Sequence, residues 1–287
     1  MNSGKCPKFR TVRALRYAGL ILIGGLIALD APSLLGASED DGEWKKHFDA
    51  GNDAYAQCEL AGAEKQLRQA LAIATRVEIP DRHVVQTLNA LGRVVLAQGG
   101  YIAAEQILNR ARAINETWIG KENQEMAESL NLLGLACTRH RVCKNADTFF
   151  NQALAMREKL FGADHPEAAI SLTSLGELRT RQGRFVEAES MLNKALRIRE
   201  KAFGRDDPSV AATLEDLAVL RAAQGNHAAA EPLFRRSLEI LERTMGKEHC
   251  ELVLLLKHSA TTLRKLHRDS EAEALEARSM ALVGIDR

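Results

Sequence analysis

Residues 171–204 read SLTSLGELRTRQGRFVEAESMLNKALRIREKAFG, and residues 213–246 repeat the pattern as TLEDLAVLRAAQGNHAAAEPLFRRSLEILERTMG. The offset is 42 residues. Within the first copy Leu172, Leu175 and Leu178 recur at helical spacing up to Gln182-Gly183, and Phe185, Ala188, Leu192, Ala195 and Ile198 do so after it. Apolar residues three and four apart share one face of a helix, and Gly permits the left-handed turn that separates one helix from the next. Each copy is expected to be a helical hairpin.

Writing the chain in rows of 42 extends the pattern in both directions. Leu91-Gly92, Leu133-Gly134, Leu175-Gly176 and Leu217-Ala218 share one column, with Ser259-Ala260 as a weaker last member. Ala104, Ala146, Ala188, Ala230 and Ala272 form another, each followed by an acid. Gly120, Gly162, Gly204 and Gly246 close the rows as helix C-cap signals, and Asp207-Pro208 reads as a cap with Pro in the first helical turn. An earlier row fits after a one-residue shift near Pro80, giving units at about 44–84, 85–126, 127–168, 169–210, 211–252 and 253–287. One hairpin cannot bury its apolar face alone, so the units are expected to stack into a superhelix.

These columns resemble the tetratricopeptide repeat across residues 44–287. The 42-residue period, the ending IREKAFG-x-D-D-P and the L-N-x-L opening of the rows are similar to the kinesin light chain subtype. The resemblance implies an all-α, right-handed superhelical solenoid that works as a protein-interaction scaffold, with a peptide held on the concave face made by the first helix of each unit. Arg179 and Arg221 stand where that pattern has one aromatic, and His227 and Asp269 where it has another. Looser packing, or side chains free for binding, is expected at those places.

Composition agrees with a folded helical body: aromatics make up 5% of the chain while Ala, Leu, Glu and Arg abound. The net charge of +1 is uneven. Residues 1–38 hold five basic side chains and one acid, leaving 34 basic and 37 acidic side chains in the rest, a net of −3. Such a body lacks the basic stripe of a nucleic-acid binder. The early positive charge precedes the apolar run AGLILIGGLIAL at residues 18–29 and small residues at LLGAS, the order of a secretory signal. Twelve helical residues rise about 18 Å against a hydrocarbon core of about 30 Å. Residues 1–38 are therefore expected to export the chain to the periplasm or medium, with cleavage near Ala37 or Ser38. The alternative is an uncleaved inner-membrane anchor at residues 18–29. Residues 39–43 are expected to be an acidic linker.

On the resemblance, the concave face carries the residue two before the repeated Leu and those two and five after it. The candidate groove residues are Asn89, Arg93, Asn131, Leu135, Thr173, Glu177 and Glu215, with Arg181 near them. Asn89 and Asn131 match the asparagine of the kinesin light chain pattern. A carboxamide both donates and accepts, so it can hold an extended backbone without reading its sequence. The alternative reading has each Asn bonding neighbouring helices. A carboxylate clamp would draw on Arg93, Arg139 and Arg181 alone, so backbone contacts and apolar pockets are favoured.

Cys137-x-x-His140-x-x-Cys143 sets three soft ligands within seven residues. A metal needs a fourth ligand, the two Cys occupy packing columns, and a Cys137–Cys143 disulfide across the turn suits an oxidising compartment. Cys58 and Cys250 lie in different loops, too far apart along the solenoid to be expected as a pair. The sequence has no zinc-protease motif, no phosphate loop and no nucleophile elbow. The expectation is a non-catalytic scaffold or adaptor without cofactor or metal, with a protein or peptide partner. The alternative is an envelope protein that self-associates through its degenerate last unit, where Leu252-Val253-Leu254-Leu255-Leu256 reads as an exposed docking edge.

Overall fold

A computed structural model describes residues 32–77, 79–139 and 145–285. The basic and apolar stretch at residues 1–29 and the pair His140 and Cys143 lie outside these. Among the described residues twelve α-helices follow one another: α1 Pro32–Ala56, α2 Leu60–Ala74, α3 Arg82–Ala97, α4 Tyr101–Ile114, α5 Gln124–Arg139, α6 Ala146–Phe161, α7 Pro166–Arg181, α8 Phe185–Phe203, α9 Pro208–Ala223, α10 His227–Met245, α11 Leu252–Lys265 and α12 Asp269–Ile285. A π-turn, Asn115–Ile119, continues α4. Among the described residues there is no strand. Residues 39–43, expected as a linker, are helical and belong to α1.

Local chemistry sets the ends of these helices. Asp207 accepts from the Ser209 amide with Pro208 in the first turn, and His165 does the same for Glu167 ahead of α7. Gly162, Gly204 and Gly246 follow α6, α8 and α10 at φ 99°, 89° and 93°, a backbone that side chains with a Cβ resist. The repeated Ala and Leu/Phe columns are the core: Ala104, Ala188, Ala230, Leu108, Phe150 and Leu192 are completely or almost completely buried. Gly134 permits the closest approach of α5 to α6, since a Cβ there would lie 2.5 Å from Cε1 of Phe150.

Helices pack as hairpins, α1 with α2 through α11 with α12, and each hairpin packs on the next, so the odd-numbered helices line one face. Residues 40–287 form one compact unit. The last hairpin uses its apolar run for this stacking. Leu252, Leu255 and Leu256 are fully buried against α9, α10 and α12, and Leu254 alone is largely exposed. The expected docking edge at 252–256 is thus mostly core.

Arg179 and Arg221 do not loosen their units. Arg179 is buried and pairs with Asp147 at 2.5 Å, and Arg221 forms a two-pronged pair with Glu189 at 2.6 and 3.0 Å. Both acids follow the repeated Ala of the preceding unit, so a planar guanidinium fills the aromatic's place and is neutralised across the joint.

Cys58 and Cys250 correct another expectation: they form a disulfide, with Cα atoms 6.4 Å apart across 192 residues of sequence. Distance along a solenoid is not distance in space, because every hairpin is rotated against the last and the stack curls back upon its beginning.

Candidate binding groove

The concave face is built by α1, α3, α5, α7, α9 and α11, and two clefts lie along it. The first, about 490 Å³, is lined by Tyr55, Arg93, Asn131, Leu135, Ile170 and Thr173 among others. The second, about 320 Å³, is lined by Arg139, Glu177, Arg181, Glu215, Asp216 and His258, with Leu254 at its side. Seven of the eight candidate groove residues therefore border a cleft, and Asn89 borders neither.

Burial separates the two asparagines from the other candidates. Asn89 is 0% exposed; its Nδ2 donates to the Glu125 carbonyl at 2.9 Å, and its Oδ1 accepts from the Ser129 hydroxyl at 2.6 Å. Asn131 is 4% exposed, donating to Ser174 Oγ and accepting from Arg157 Nη1 and Ser171 Oγ, each at 3.2 Å. Both carboxamides are spent on the joint between one odd helix and the next. The alternative of an inter-helix bond describes them, and neither offers a free amide to a ligand.

The charged candidates are all paired, Arg181 within α7 and the others across neighbouring odd helices. Arg93 meets Glu128 at 2.5 Å and lies 5.9 Å from the Tyr55 ring centroid; Glu177 takes both Arg139 and Arg181, at 3.0 and 3.1 Å; Glu215 meets His258 at 3.0 Å. Leu135 and Thr173 remain half-buried and open to the first cleft. Asp216 is repelled by Glu177 and Glu215 and attracted less strongly by Arg199 and Arg139. Burial first, then repulsion from those two acids, holds its carboxyl well above the usual aspartate range. Burial likewise raises the Tyr55 phenol, against Arg93 and with Glu251.

Two columns under the groove escaped the sequence reading. Thr87, Ser129, Ser171 and Thr213 stand 42 residues apart, all fully buried. Arg157 and Arg199 reach the last two of them from the outer helices, at 2.6 and 2.5 Å. Burial pulls both guanidinium groups below their ordinary value; Glu167 and Glu128 oppose this at Arg157, and Asp216 and Asp207 at Arg199. The hydroxyl column was visible in the 42-residue rows, since a small polar residue recurring between apolar neighbours marks a buried hydrogen bond. Among the described residues no His, Cys, Asp and Glu cluster could hold a metal, and no helix is long and apolar enough to cross a membrane.

The sequence profile of the tetratricopeptide repeat matches residues 47–117, 125–201, 175–243 and 209–283. The chain belongs to the tetratricopeptide repeat family. Solved structures place the TPR fold beyond the profile alone. BtubC (BKLC) from P. vanneervenii is 16% identical with a TM-score of 0.58, covering 80% of this chain and 91% of that one. Kinesin light chain TPR-like repeats from Podosopora anserina are 21% identical with a TM-score of 0.52, covering 71% of this chain and 96% of that one. A Rap protein complexed with competence and sporulation factor is 17% identical with a TM-score of 0.67, covering 86% of this chain and 64% of that one. No curated protein matches the sequence. The TPR solenoid is a protein-interaction scaffold type, and the solved structures of similar fold include kinesin light chain TPR-like repeats.

Proposed function

We propose that this TPR protein is an exported adaptor without catalysis of its own, holding a peptide or protein segment in its concave groove. The observation that carries this reading is the first cleft. Tyr55, Leu135, Ile170 and Thr173 give it apolar and hydroxyl surface, while Arg93 and Glu128 leave a compensated charge pair at its rim. Such a mixture suits an extended chain bound through its backbone and small apolar side chains. The similarly folded Rap protein was solved in complex with a factor, which supports the use of this fold for binding. Export is supported by the basic and apolar order of residues 1–29 and by the Cys58–Cys250 disulfide, since such bonds persist in oxidising compartments.

The test places a photoactivatable residue at Leu135 or Thr173 in the groove, and at Val186, which is 85% exposed, as a control away from it. In the native cell envelope one partner should be captured from both groove positions and not from Val186, and Leu135→Arg combined with the Thr173 probe should abolish the capture. Equal capture from Val186, or persistence with Leu135→Arg in a protein of unchanged helicity, would remove the groove from the account.

A further inference from the structure

Cys58 lies in the turn inside the first hairpin, and Cys250 in the loop between the fifth and sixth. In a stack of hairpins the inner turns run along one edge and the connecting loops along the other. The Cys58–Cys250 bond therefore joins opposite edges, as happens when a superhelix completes a turn and meets itself one pitch further on. Among the described residues little else holds this seam. His249 donates through Nε2 to the Ala56 carbonyl at 3.2 Å, while its Nδ1 accepts from the Glu251 amide at 3.3 Å. The hydrophobic clusters among the described residues join neighbouring hairpins and none bridges the first hairpin to the fifth or sixth. Tyr55, three residues before Cys58, is a wall of the 490 Å³ cleft. The clasp and the groove thus share one short segment of chain.

We propose that Cys58–Cys250 is a redox clasp on the groove: oxidised, it holds the superhelix closed with Tyr55 in the cleft wall, and reduced, it frees the first hairpin and opens the cleft. The proposal rests on the reading of this cleft as the binding surface, but its test needs no ligand. Closure removes two protons and two electrons from the thiols and delivers them to a disulfide oxidant, either a thiol–disulfide oxidoreductase or oxidised glutathione, which leaves as two thiols. Opening is the reverse, with a dithiol such as dithiothreitol becoming the disulfide.

The test uses the full exported chain purified without reductant. Non-reducing tryptic mass spectrometry should recover the Cys58 and Cys250 peptides linked, and dithiothreitol should separate them. Small-angle scattering should show a larger radius of gyration for the C58S/C250S variant than for the oxidised protein, at equal helicity by circular dichroism. The variant leaves Cys137 untouched, so the shift belongs to this bond. Should the variant lose helicity, the same comparison is made on folded Cys137→Ser protein before and after dithiothreitol, because Cys137 is disulfide-bonded as well. Free thiols at both positions in protein from an oxidising compartment, or identical scattering of the closed and opened forms, would overturn the clasp. Failure of photocapture at Leu135 would leave these outcomes unaffected and bear on the groove alone.

Discussion

Replacing Asn131 by Ala separates a joint residue from a ligand residue. Its carboxamide makes two bonds to neutral hydroxyls, Ser174 and Ser171, and accepts one from the Arg157 guanidinium. Neutral bonds contribute about 1 kcal/mol each and one to a charged group about 1.5–3 kcal/mol. Arg157 keeps Ser171 and its pair with Glu167 after the change, and Ala is the better helix former by roughly 0.6 kcal/mol. The net expectation is a loss of about 3 kcal/mol, falling on the joint between the third and fourth hairpins. Urea unfolding followed by circular dichroism reads it as a lower midpoint with a broadened transition, because adjacent hairpins uncouple. Thr173→Ala is the control: among the described residues its hydroxyl bonds only its own helix, at the Ala169 carbonyl, and the expected change is within about 0.5 kcal/mol. A loss below about 1 kcal/mol for Asn131→Ala would refute the joint assignment and return the residue to the list of ligand contacts.

Three further changes test other parts of the structure. Gly134→Ala should cost about 1–3 kcal/mol in the same unfolding assay, because the new Cβ meets the rigid, fully buried Phe150 ring rather than a flexible chain end. Ser259→Leu should stabilise by about 1–2 kcal/mol. It restores the repeated Leu, fills a hollow of about 430 Å³ beside Phe234 and Leu263, and removes a buried hydroxyl that has no partner among the described residues; a lower melting temperature would show the hollow is not open to it. Asp216 carries a raised folded-state carboxyl, so the unfolded chain binds fewer protons between the ordinary aspartate value of 3.8 and the folded one. Its contribution is present below that ordinary value and is lost as pH rises through the raised one. Asp216→Asn should therefore gain stability at neutral pH and show a flatter melting profile between acid and neutral pH; a parallel, unshifted profile would contradict the assignment.

The hairpins were legible because packing columns repeat. Gly176 must face Leu192 as Gly92 faces Leu108 and Gly134 faces Phe150, so the spacing records the contact directly in the sequence. The groove was half legible. Positions flanking the repeated Leu do point inward, yet the sequence could not say whether an inward polar residue is left for a ligand or taken by the next hairpin. Asn131 is taken because Arg157, 26 residues away, reaches beneath it. The arginines at 179 and 221 were misread for a similar reason: the acids that neutralise them belong to the previous row.

The sequence by itself determined the helical hairpins, the caps at Asp207 and the repeated Gly, and the stacked TPR architecture, since these follow from periods of 3.6 and 42 residues. Only the tertiary structure decided which polar side chains are consumed in the joints and that Cys58 meets Cys250. Small rotations between successive hairpins add up along the stack. That sum determines where distant loops meet, and no single repeat records it.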